Sequence, residues 1–165
     1  MSAVEFGAEL SSDGRYRYRL WRSWGPGSRC IWIMLNPSTA DASVDDPTIR
    51  KCMGFAKRWG HDGIEVVNLF ALRSTNPRML YSADDPVGPG NNEAILSAAR
   101  SWSYVVCGWG NHGGLHNRSA QVVRLLRGEC VLTALCVTKQ SQPGHPLYVS
   151  YENSAQHWQP EGNAL

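Results

Sequence analysis

Four short apolar runs stand out along the chain: Cys30 to Leu35, Ile64 to Leu69, Tyr104 to Cys107 and Val131 to Val137. Each is nearly continuous in apolar residues rather than alternating. That is the pattern of strands covered on both faces, and so of a parallel sheet. Segments of helical period fit between them. Asp46-Pro47-Thr48 opens one that carries Ile49, Met53, Phe55, Ala56 and Trp59 and stops at Gly60. Proline suits the first helical position, because its missing N–H has no intrahelical partner there anyway. Asn91 to Trp102 is a second, and Arg118 to Leu126, ended by Gly128, is a third. The order β-α-β-α-β-α-β predicts an α/β three-layer sandwich around a central four-stranded parallel sheet, with strand order 2-1-3-4. Residues 3 to 24 predict an antiparallel hairpin packed alongside it. Ser11-Ser12-Asp13-Gly14 marks its turn, and Tyr16, Tyr18, Leu20 and Trp21 largely alternate with arginines, as on a half-exposed strand.

The 165 residues suit one domain, with its core over about residues 14 to 150, and the chain shows no repeat or linker. A 42% hydrophobic and 18% charged composition excludes disorder. The net charge of +2 does not by itself imply a nucleic-acid partner, but its distribution is uneven. Arg15, Arg17, Arg19, Arg22 and Arg29 form one group, and Arg118, Arg124 and Arg127 another. Either group suits a phosphate-facing surface or an ordinary solvated one. The five cysteines lack C-x-x-C spacing, and three lie in or beside apolar runs, which predicts a reducing, cytoplasmic compartment; the chain is expected to be a monomer. No apolar stretch approaches the roughly 20 residues of a membrane span. No metal or cofactor is expected. His112 and His116 are separated by glycines, which predict a loop rather than a helical ligand pair.

In a parallel α/β sheet, ligands bind beyond the carboxyl ends of the strands. Asn36-Pro37-Ser38-Thr39-Ala40-Asp41 follows the first run. Asn68 and then Arg73-Ser74-Thr75-Asn76-Pro77 follow the second. Gly108-Trp109-Gly110-Asn111-His112 follows the third, and Thr138-Lys139-Gln140 through His145-Pro146-Leu147-Tyr148 the fourth. Amides, hydroxyls, imidazole and lysine thus converge on one rim. Each segment alone is also ordinary turn chemistry. No Gly-rich phosphate loop and no G-x-S-x-G elbow is present.

The strand order and these loops resemble the uracil-DNA glycosylase superfamily. Ile33-Met34-Leu35-Asn36-Pro37-Ser38 is similar to its first motif, and Val66-Val67-Asn68 to its second strand end. Gly108-Trp109-Gly110 and His145-Pro146-Leu147-Tyr148 are similar to its third and last motifs. The whole chain also resembles an uncharacterised bacterial and phage domain family, which carries Leu-Asn-Pro-Ser-Thr-Ala-Asp, Asn-Leu-Phe-Ala, Trp-Gly and a final His-Pro-Leu.

The glycosylase resemblance implies hydrolysis of the N-glycosidic bond of a base flipped out of DNA. Asn36 would hold the attacking water, and Asn68 would bond the base edge. His145 would donate to the departing base, and Leu147 or Tyr148 would fill the gap in the helix. An amide is no general base, so activity would lean on electrostatics or on a nearby carboxylate, for which Asp41, Asp45 and Asp46 are candidates. Asp46 also reads as the N-cap of the following helix, the Asn residues as turn formers and His145 as a loop packing residue. Strict uracil enzymes carry Tyr where this chain has Ser38, which implies room for a 5-substituted or hypermodified pyrimidine; such an activity would suit defence against phage. Arg73, Trp109 and Lys139 are further candidate substrate contacts. A hydrolase or transferase for free nucleosides or nucleotides, or a non-catalytic modified-base binder, satisfies the same residues.

Overall fold

A computed structural model describes residues 4–38 and 40–160. Seven strands form one mixed sheet: β1 Glu5–Leu10, β2 Arg17–Ser23, β3 Arg29–Met34, β4 Gly63–Asn68, β5 Tyr104–Cys107, β6 Leu132–Ala134 and β7 Gln156–His157. Their order is β1-β2-β4-β3-β5-β6-β7. β4, β3, β5 and β6 run parallel, while β2 pairs antiparallel with β4 and β7 antiparallel with β6. The expected four-stranded parallel sheet is therefore wrong as a description of the fold, and nothing in the sheet ties it to the uracil-DNA glycosylases. The hairpin does not pack alongside the sheet; it extends it, with Leu20 opposite Val66.

Both faces of the parallel strands are covered. In β3, Ile31 and Ile33 point to the cluster built with α3 (Asn91–Ser101) and α4 (Arg118–Leu125). Cys30, Trp32 and Met34 point the other way, into the cluster built with α1 (Pro47–Arg58). The alternation follows from the two-residue period of a strand, and both sides are apolar because both are roofed by helices. Trp32 stacks on Trp59, and Phe55 meets both rings at a tilt, with centroids 5.2 to 5.9 Å apart. Such pairs contribute about 0.5–1.5 kcal/mol each beyond the area they bury.

Local chemistry sets the limits of α1. The Asp46 carboxylate accepts the Ile49 N–H at 2.9 Å, Pro47 follows, and Gly60 just past the end adopts φ +84°. A short helix, α2 (Met79–Ser82), and one turn over Pro146–Tyr148 lie in the loops.

The arginine face of β2 is not exposed throughout. Arg17 is 3% and Arg22 2% exposed. Arg22 meets Asp45 at 2.8 Å, and Arg19 and Arg29 both pair with Glu65, which is buried in β4. Arg19, Arg22 and Arg29 of this N-terminal basic group are therefore paired within the fold. No helix among the described residues is long and apolar enough to cross a membrane.

Candidate functional site

Backbone pairing stitches together the loops beyond the parallel strands. Leu69 N–H donates to the Met34 carbonyl and Phe70 N–H to Leu35, so the β3–β4 pairing continues past the strand ends. Ser74 N–H donates to the Pro37 carbonyl. On the other side, Gly108 N–H donates to Ile33, Gly110 N–H to Pro143, and Gly144 N–H to Cys136. The rim is a consequence of strand direction: every parallel strand delivers its following loop to the same edge.

These loops enclose a cleft of about 560 Å³, within the range of small-molecule sites. It gathers Asn36, Ser38, Asp46, Asn68, Trp109 and His145, with Leu147 and Tyr148 beside them. Asp41, Arg73 and Lys139 do not line it. The Asp41 carboxylate is turned back on its own loop, where it accepts the Ser43 and Val44 N–H groups. Arg73 reaches the Gly14 carbonyl, and Lys139 is exposed on a turn closed by the Ser141 N–H to the Thr138 carbonyl. Their side chains therefore stand apart from the residues the sequence groups them with.

Asn36 is oriented by its surroundings. Its Nδ2 donates to the carbonyls of Pro37, Leu72 and Ser74 at 3.0 to 3.4 Å. With the nitrogen so engaged, the free function of the amide is its oxygen, an acceptor.

Asn68 is the opposite case. It closes β4, is 1% exposed, and lines the cleft, yet neither its Oδ1 nor its Nδ2 has a partner. Its backbone is held from behind, since Asn91 Nδ2 donates to the carbonyls of Asn68 and Leu69 and Arg118 Nε to that of Leu69. Buried polar atoms are nearly always bonded, so an amide fixed in place with both functions vacant is a binding feature or a liability to the fold.

His145 accepts the Leu147 N–H on Nδ1 at 3.2 Å, which caps the turn at Pro146–Tyr148. An unprotonated Nδ1 leaves the proton on Nε2, so the neutral ring is a donor. Burial pushes its pKa below the ordinary 6.5, while the charge of Asp46 pulls the other way. Asp46 is doubly engaged: Oδ1 caps α1, and Oδ2 accepts the Ser38 hydroxyl at 3.1 Å. Trp109, 2% exposed, is a wall rather than an open stacking surface. Its Nε1 donates to Gln142 at 2.7 Å, its ring meets Trp158 edge-on, and Gly113 lies so close that a Cβ there would collide with the indole. Tyr148 projects at the mouth, 86% exposed.

Of the cleft residues given no role from the sequence, two carry ionisable side chains. His112 lines the cleft and bonds the Tyr81 hydroxyl at 3.0 Å. Arg17 comes from β2, outside the loops where ligand groups were sought. Its pKa falls to about 10, chiefly through burial. The Tyr-Arg alternation marks it only as one face of a strand; its place in the cleft comes with the pairing of its N–H to the Ala71 carbonyl, in the segment after β4. Among the described residues no cluster of His, Cys, Asp and Glu could hold a metal ion.

Fold and cleft together define an α/β protein with a partly polar cleft at the carboxyl edge of its parallel strands. The chain belongs to DUF1643, a family of proteins of unknown function, whose sequence model matches residues 17–147. No curated protein and no solved structure matches it.

Proposed function

We propose that the cleft receives a pyrimidine base flipped out of DNA and that the chain hydrolyses its N-glycosidic bond. The observation that carries this reading is Asn68: a buried amide lining the cleft, with a donor and an acceptor both vacant. A pyrimidine presents a complementary donor and acceptor on one edge: N3–H and an exocyclic oxygen in uracil-type bases, an amino group and N3 in cytosine-type ones.

The remaining groups take the other roles. Asn36, its nitrogen tied to backbone, offers Oδ1 to a water. That water adds to C1′ as the C1′–N1 bond breaks, and the bonding pair leaves with the base. The base anion spreads onto O2, where the Nε2–H of His145 donates to it. A donor already aimed at developing charge needs no reorganisation in the transition state. Asp46, in the same cleft, is the carboxylate that takes the water's proton, and Ser38 leaves space for a substituent on C5.

The test is incubation with single- and double-stranded DNAs carrying uracil, 5-hydroxymethylpyrimidines or glycosylated 5-hydroxymethylpyrimidines, followed by alkali. Strand breaks at one of these bases, absent with Asn36→Ala, are expected. An unbroken panel with wild-type protein refutes the proposal.

A further inference from the structure

Arg17 is a buried charge in the cleft that the proposed reaction does not use. The other arginines of β2 and β3 have carboxylate partners: Arg22 has Asp45, and Arg19 and Arg29 share Glu65. Arg17 has none within ion-pair distance among the described residues. Its Nη1 donates to the Ala40 carbonyl at 2.6 Å, and its Nε is buried without a partner. The charges of Asp46 and Asp41 reach it only at longer range, and each carboxylate is engaged elsewhere. Arg118, equally buried, also lacks a carboxylate but does not line the cleft. A guanidinium taken out of water without a counter-charge is strongly unfavourable, and the cleft is where a ligand can supply one. The planar fork of arginine suits the paired oxygens of phosphate and carboxylate.

We infer that Arg17 is an anion receptor: the pyrimidine ligand seated on Asn68 carries a phosphate or carboxylate group that meets this guanidinium on the Ser38 and Asp46 side of the cleft. The inference rests on the pyrimidine reading given above and narrows its ligand to an anionic one. Two sources share this chemistry, a 5′-phosphate and a carboxylate on the C5 substituent.

Calorimetric titration of the whole chain with 2′-deoxyuridine, 2′-deoxyuridine 5′-monophosphate and 5-carboxy-2′-deoxyuridine separates them. One anionic probe is expected to bind about 10- to 100-fold more tightly than deoxyuridine, as charge-assisted hydrogen bonds do. Whichever probe gains identifies the source. The preference should vanish in Arg17→Gln. In Arg17→Lys, which keeps the charge but not the fork and covers the case in which Arg17→Gln fails to fold, it should fall by about three-fold or more. Equal binding of neutral and anionic probes, or a preference unchanged in either variant, overturns the inference. Asn68→Ala distinguishes the underlying reading: if it leaves an Arg17-dependent preference at full strength, the anion receptor stands and the pyrimidine assignment falls. Failure of every probe to bind wild-type protein refutes both.

Discussion

Replacing Asn68 with leucine should make the free protein more stable while removing its activity. Asn68 is 1% exposed, and both polar atoms of its side chain are buried without partners. An amide so buried forfeits its bonds to water on folding, at about 1–3 kcal/mol for the whole group. Leucine has no polar atom to desolvate, and the cleft of about 560 Å³ has room for its extra volume. The side chain also leaves the backbone contacts of Asn91 and Arg118 untouched, because these go to carbonyls. A gain of about 1–3 kcal/mol follows, or about 2–4 °C of Tm per kcal/mol for a chain of this size. Urea denaturation of both proteins measures it, and base release from the substrate found in the DNA panel measures the other half. Loss of the two base-edge bonds should lower kcat/KM by about 100-fold or more. A destabilised Asn68→Leu would mean that the amide supports the fold, as a turn-forming or water-bonded residue does. A stabilised variant that keeps its activity would mean that the amide does not read the base. Either result removes the observation on which the proposed function stands.

Three further outcomes are open to measurement. Asn36→Asp should melt below Asn36→Ala, by about 1–3 kcal/mol, because a carboxylate oxygen would face the carbonyls that now accept from Nδ2; equal melting temperatures would contradict that geometry. Ser38→Tyr should abolish activity on a 5-substituted base and spare plain uracil, since a clash rejects strongly whereas an empty space only permits; equal effects on both would move Ser38 away from C5. The depressed pKa of His145, caused mainly by burial, means that the unfolded chain binds a proton which the folded chain resists as pH drops below 6.5. Its contribution to stability is thus complete above 6.5 and lost as pH falls through the folded value. His145→Asn, which keeps an acceptor for the Leu147 N–H, should flatten that part of the urea-denaturation pH profile, and an unchanged profile would rule His145 out as its source.

Much of this protein is local in origin. Continuous apolar runs become β3, β4 and β5 because both sheet faces are roofed there, whereas of Val131 to Val137 only Leu132–Ala134 is strand and both ends of the run are exposed. The Asp46-Pro47 start and Gly60 stop frame α1 because a cap, a missing N–H and a positive φ act within a few residues. The convergence of Asn36, Asn68, Trp109 and His145 also follows from chain order, since parallel strands send their loops to one edge. What depends on distant pairing was settled only by the tertiary structure. Alternation in β2 separates two faces without saying which is covered; its pairing with β4 makes the hairpin part of a seven-stranded sheet, and Arg17, whose N–H donates to the Ala71 carbonyl beyond β4, lines the cleft. β7 has two residues, too few for any period to show. Asp41, Arg73 and Lys139 share loops with cleft residues, but local turns and backbone contacts turn their side chains elsewhere. The vacancy of the Asn68 amide is likewise invisible in sequence, because whether a buried group is bonded depends on every neighbour brought to it by the fold.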